Sequence, residues 1–176
     1  MSAGKSKTPP QQDVEQNYVL ANSGAAIAPT VAAITQMFSG QCSPRELQSM
    51  SLALDELLRN AYEHGNLGVG SEEKLAAIEA GNFDELLARI ASEPWAHSRR
   101  IRVNASFRNG EFICRVADDG AGYDWRSTFS RALNAEDLLK PNGRGLLLIR
   151  QLFDRVEFNE SGNVVTVYKK FSTPVS

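Results

Sequence analysis

The sequence is short of the groups that most often carry metal or redox chemistry. It has two cysteines, Cys42 and Cys114, and two histidines, His64 and His97, among 176 residues. The cysteines lie in different segments without metal-ligand spacing, which argues against a zinc site or a disulfide scaffold and leaves both as packing residues. No apolar run approaches the roughly eighteen residues of a membrane span. Residues 1–16 are polar and contain proline, with none of the apolar stretch of a secretory signal. A cytoplasmic protein without a membrane partner is therefore expected. Charge of one sign is lacking too: 19 Lys and Arg against 21 Asp and Glu leave a net charge of -2. That balance gives no general drive toward nucleic acid and favours small molecules or proteins as partners. Also missing are a Gly-x-x-x-x-Gly-Lys-Ser/Thr loop and a strand-GxGxxG-helix unit, so neither common dinucleotide or P-loop site is supported.

The length fits one domain with a real core and a modest tail. Residues 1–16, rich in Ser, Lys, Pro and Gln, read as a leader outside the fold, with the domain running over 17–172. A short strand is expected at 18–20 and a helix at 29–38, where Val31, Ile34 and Phe38 recur at helical spacing and Pro29 suits a first turn. The next helix is the best marked. Ser43 caps it, Pro44 fits its first position, and Glu46 completes a capping box. Its apolar stripe is Leu47, Met50, Leu54, Leu57, Leu58 and Ala61, and Glu56 and Asn60 share the side roughly opposite, one turn apart.

A turn at 66–70 precedes two short helices, 71–79 and 83–90, and Pro94 is expected to end that stretch. From residue 100 the period changes to two. Ile101, Val103, Ala105 and Phe107 alternate, Asn109-Gly110 supplies a type I′ turn, and Phe112, Cys114 and Val116 alternate again. Residues 123–142 are mixed, with a helical turn or flap expected at 133–139. A helix at 144–153 and strands at 156–158 and 164–168 complete the reading. This order implies an α+β two-layer sandwich: a mostly antiparallel sheet with helices on one face.

Three segments carry chemistry. In Glu56-Leu57-Leu58-Arg59-Asn60 a carboxylate and an amide share a helix face. An Asn oxygen is a hard neutral ligand suited to Mg²⁺, and a Glu can take a proton from a hydroxyl. In Asp118-Asp119-Gly120-Ala121-Gly122 a strand-end carboxylate can accept from an exocyclic amine such as that of adenine, while the glycines admit a flat ring. In Asn142-Gly143-Arg144-Gly145, glycines open an apolar helix, where free N–H groups can meet phosphate oxygens. Taken singly, each has a plain structural alternative: a solvated helix face, an acidic turn, a loop. Gly68-Val69-Gly70 reads as a turn alone.

Their order and spacing are more telling. The run from Glu56 to Gly65 resembles the N box of the GHKL ATPases, the group of gyrase and the histidine kinases; Asp118 to Gly122 resembles their G1 box, and Gly143-Arg144-Gly145-Leu146 their G2 box. The short distance between the last two resembles the branch of anti-sigma-factor serine kinases. The resemblance covers about residues 18–170. It implies that Asn60 holds Mg²⁺ and Glu56 is the general base. It also implies that Asp118 binds adenine with Gly120 and Gly122 shaping its pocket, and that Gly143 and Gly145 line the phosphates of ATP. Arg144 would add charge near the γ-phosphate. His64 is read as a capping or packing residue and Glu63 as a surface residue.

The implied function is a regulatory serine/threonine kinase and anti-sigma factor of a partner-switching system. It would phosphorylate a STAS-type antagonist and sequester a sigma factor or another regulator, in some relatives as a homodimer. The alternative is a nucleotide-dependent interaction module that transfers no phosphate. The sequence departs from the family at 66–99, read as an inserted helical pair, and at Gly162-Asn163-Val164, where many relatives have Gly-Thr-Thr. Thr166 is a candidate substitute for the missing hydroxyl.

Overall fold

A computed structural model describes residues 13–124 and 144–171. Strands β1 (Val14–Ala21), β2 (Arg100–Arg108), β3 (Glu111–Asp118), β4 (Arg155–Phe158) and β5 (Val164–Lys170) form one sheet in the order β1-β2-β3-β5-β4. Every neighbouring pair is antiparallel. The two-residue alternation has its expected outcome. Ile101, Val103, Ala105 and Phe107 of β2 and Phe112, Cys114 and Val116 of β3 are buried on one face, and Arg102, Asn104 and Arg108 point the other way, where Glu15 and Asn17 of β1 bind Asn104 and Glu15 pairs with Arg108. Asn109 and Gly110 both take positive φ, 51° and 77°, as a type I′ turn requires.

Helices α1 (Ile27–Gln36), α2 (Pro44–Asn60) and α6 (Arg144–Leu152) cover the apolar face. Ile27, Val31 and Ile34 of α1, Met50, Leu54, Leu57 and Leu58 of α2 and Ile149 of α6 share one buried cluster with the inward strand residues. Full burial of each such side chain is worth about 1.5–3 kcal/mol, so this layer contact is the main hold on the fold. The start of α2 is as the sequence indicates. Ser43 Oγ accepts the Glu46 N–H, the Glu46 carboxylate accepts the Ser43 N–H, and Pro44 occupies the first turn.

Several boundaries differ from the sequence reading. β1 begins at Val14, inside the segment read as leader. Its residues Val14–Gln16 are carried into the sheet by main-chain pairing with Phe107, Ser106 and Ala105, a force that composition does not register. Pro94 does not end the helical stretch but opens a third short helix, α5 (Pro94–Ser98), where its missing N–H costs nothing. It follows α3 (Ser71–Glu79) and α4 (Phe83–Ala91), so the inserted unit has three helices. Lastly, α2 runs into a π-turn over Ala61–Asn66, with the Leu67 N–H bonding the Tyr62 carbonyl. The wider turn changes the helix phase and brings Glu63 inside. At 2% exposure Glu63 is not the surface residue expected, and it pairs with Lys74 of α3 at 2.5 Å.

Candidate functional site

Asp118 ends β3, its N–H donating to the Asn163 carbonyl at 3.0 Å across to the β4–β5 turn. One carboxylate oxygen accepts the Gly120 N–H at 2.8 Å. Three glycines make this arrangement possible. A Cβ at Gly65 would lie 2.4 Å from Asp118 Cγ, one at Gly120 would lie 2.1 Å from the Gly65 carbonyl oxygen, and one at Gly122 would lie 1.8 Å from the Ser161 carbonyl oxygen. Gly122 also has φ +81°. The end of the π-turn, the strand end and the β4–β5 turn thus meet almost backbone to backbone around one carboxylate, a closeness that side chains forbid. Burial pushes the Asp118 carboxyl up to about 6, with the Gly120 N–H pulling the other way.

The neighbouring Asp119 has a different task. It accepts the Arg100 N–H at 2.8 Å and pairs with Arg102 at 2.6 Å, and its own N–H donates to Asn66 Oδ1 at 2.8 Å. The Arg102 bond holds its carboxyl below the usual range. Asp119 is a brace, and Asp118 is the carboxylate that faces the pocket.

In front of Asp118 lies a narrow recess walled by Leu57, Ala61, Val116, Leu146 and Ile149, with Asn163 at its edge. An apolar slot ending on an acceptor suits a flat heterocycle with an exocyclic amine. Asn60, Gly65, Gly122, Tyr123 and Leu146 line both this recess and a larger cavity of about 620 Å³, within the roughly 300–1,000 Å³ of small-molecule sites. Glu56 stands in that cavity, one turn from Asn60 on α2.

The Glu56 side chain lies against Gly145 of α6, where a Cβ would come within 2.0 Å of Glu56 Oε1. Among the described residues neither the Glu56 nor the Asn60 side chain has a hydrogen-bond or ion-pair partner. Desolvation raises the Glu56 carboxyl above the ordinary glutamate value; Lys74 opposes that shift, and the carboxylates Glu63 and Asp55 add to it. This is not a solvated helix face. Tyr123 stands at the near side, its ring edge-on to Phe158 at 6.2 Å between centroids, and it remains 39% exposed.

An Asn- and Glu-bearing helix, a strand-end Asp packed on glycines and a glycine-opened helix around one crevice define a class: nucleotide-binding two-layer sandwiches. The comparison with known families makes this specific. The profile of the histidine kinase-like ATPase domain matches residues 20–169, and the chain belongs to that family. It is an ATP-binding domain of the kinase-like ATPase type. No curated protein matches the chain.

The structure brings Glu56, Asn60, Asp118, Gly120, Gly122 and Gly145 to one crevice. Gly143 and the Arg144 side chain lie outside the described residues, as does the stretch at 133–139, although Arg144 opens α6. His64 Nδ1 donates to the Val69 carbonyl oxygen at 2.5 Å, as a packing role requires. Near Gly162 the recess is lined by Asn163, Val164 and Val165, while Thr166 pairs with Arg115 and Glu157. Sequence reasoning gave Gly65 no role of its own within the N-box run and read Asn163 only as part of a departure from the family. Gly65 carries a signal in retrospect, since a glycine just past a polar helix face permits close backbone approach. Trp95 and Arg99 also line the cavity, and nothing in the local sequence marks them.

Proposed function

We propose that this chain is a regulatory protein serine/threonine kinase of a partner-switching system. The observation that carries the reading is Glu56: a desolvated carboxyl with raised pKa, unpartnered among the described residues, in the same cavity as Asn60. A general base needs that poise and that freedom. Adenine would occupy the recess with its amine on Asp118, and the phosphates would extend past Asn60 toward the start of α6.

The donor set also fits Mg²⁺. Among the described residues no group of three or more His, Cys, Asp or Glu could hold a metal. Mg²⁺ characteristically takes one or two protein oxygens and completes its shell with phosphate and water, and Asn60 offers one. When bound, the ion would offset phosphate charge.

In the transfer step Glu56 takes the proton of an acceptor serine hydroxyl. That oxygen forms the new bond to the γ-phosphorus as the bond to the ADP oxygen breaks, leaving phosphoserine and ADP. The acceptor would be a STAS-type anti-sigma-factor antagonist in the cytoplasm, and the same domain would sequester a sigma factor or another regulator when the antagonist is phosphorylated.

The test is transfer from γ-labelled ATP to such an antagonist by wild type and Glu56→Ala. Labelling of a serine by wild type, reduced at least about a hundredfold in the variant, supports the reading. Equal labelling by both removes Glu56 from the mechanism, and saturable ATP binding without any transfer leaves the nucleotide-dependent interaction module.

A further inference from the structure

The outer cavity has a wall that none of the three glycine- or asparagine-bearing segments supplies. Trp95 of α5 and Arg99, the residue just beyond it, line the same cavity as Glu56 and Asn60. Both come from the inserted helices. The Arg99 guanidinium is 4.7 Å from the centroid of the Trp95 ring, and it donates to the Asn66 carbonyl at 2.6 Å. Those two contacts fix its direction but do not neutralise it. Among the described residues Arg99 has no carboxylate ion pair and uses one of five N–H donors.

Arg99 is also the one Lys or Arg among the described lining residues of either cavity, where Glu56, Asp118 and Asp124 are the carboxylates. Trp95 remains 45% exposed although it anchors this cation. A guanidinium held in place, charged and largely undischarged inside a cavity that binds a polyanion is a phosphate-binding arrangement.

We propose that Arg99, backed by Trp95, is a nucleotide-binding residue: the inserted helices complete the ATP site, and the Arg99 guanidinium contacts a phosphate group of the bound nucleotide. The inference rests on the ATP reading of the site. It gives the segment at 66–99 a function within the pocket. The segment is tied to the elements around that pocket at three further points: Lys74 to Glu63, Asn66 to the Asp119 N–H, and Val69 to His64, the last two residues being in its lining. Arg99 lies near the adenine end as well, since its charge also lowers the pKa of Asp118.

The sequence has two tryptophans, so Trp125→Phe leaves Trp95 as the reporter. In that background, Mg·ATP is expected to change Trp95 emission saturably, with the midpoint found by calorimetry. Arg99→Gln should weaken ATP binding by about tenfold or more, the usual scale for a charge-assisted hydrogen bond, and should weaken adenosine binding much less, since adenosine carries no phosphate and feels Arg99 only through the Asp118 carboxyl. Arg99→Lys, which keeps the charge but loses the fixed guanidinium and its Trp95 and Asn66 contacts, should fall between wild type and Arg99→Gln in ATP affinity. ATP binding of equal strength in wild type and Arg99→Gln, with Trp95 emission unmoved, overturns the proposal while the ATP reading stands. So does an equal loss in Arg99→Gln and Arg99→Lys, which would mark a packing effect. If wild type binds no ATP, or Asp118→Asn binds it undiminished, the ATP reading fails and this inference with it.

Discussion

Two adjacent carboxylates show how surroundings divide labour at the residue scale. Asp119 is spent on Arg100 and Arg102 and titrates low, whereas Asp118 is buried against Gly65 and titrates at about 6 instead of 3.8. The native state therefore binds more protons than the unfolded chain between about pH 4 and 6, and the Asp118 contribution to stability falls as pH rises through that window. Ionised Asp118 is a cost at neutral pH. Asp118→Asn should be no less stable than wild type at pH 7 by urea unfolding, and its stability should change less between pH 4 and 6. ATP affinity should move the other way. It should weaken as pH drops through 6, as Asp118 gains a proton, and Asp118→Asn should lose that dependence in calorimetric titrations at several pH values.

Gly145 gives a second residue-scale prediction. Gly145→Ala places a methyl within 2.0 Å of the present position of Glu56 Oε1, so the carboxylate must move. Phosphoryl transfer should fall by at least tenfold, the scale of a misplaced catalytic group, while the melting temperature stays within a few degrees. The family role foreseen for this glycine was phosphate lining; its contact with Glu56 depends on the approach of α6 to α2, which no local pattern encodes.

At the scale of elements, α2 was legible because its signals are local. The capping box, the proline and the stripe all lie within one helix, and Ser43→Ala should cost about 1 kcal/mol in chemical denaturation. The π-turn was not legible, since a 100° template has no mark for a turn that holds an extra residue. Its consequence is the inward Glu63, which looked like a surface charge until the phase changed. Lys74 compensates that charge from α3 at 18% exposure. Lys74→Met should therefore destabilise the fold by roughly 3–5 kcal/mol, since it strands a buried carboxylate. A loss under 1 kcal/mol would mean that Glu63 finds another partner or water. The helices at 71–79 and 83–90 were visible from the turn before them and the Gly81-Asn82 break between them, but the Lys74–Glu63 contact that ties α3 to the π-turn was not, because the facing of Glu63 was misread.

For the whole molecule, the architecture could be read because the hairpin, the capped helix and the final strand pair each impose a distinct period. The crevice followed from the order of three segments whose chemistry is complementary. What order alone could not supply was the far wall, which long-range packing of residues 94–99 builds. A site assembled from both layers couples ligand binding to the fold as a unit. Mg·ATP at a hundredfold excess over its Kd should stabilise the native state by about 2.7 kcal/mol. For a domain of this size that is a rise of about 5–10 °C in melting temperature, readable by differential scanning calorimetry and smaller in Asp118→Asn at the same ATP concentration.

No helix among the described residues is long and apolar enough to cross a membrane. Isothermal calorimetry of Mg·ATP into wild type and Asp118→Asn, both shown to be folded, tests the central claim that this crevice is an ATP site organised on Asp118. Saturable one-to-one binding by wild type, weakened at least tenfold in the variant, is the predicted result. Equal binding by the two proteins would contradict it, and so would a folded wild type that binds no nucleotide.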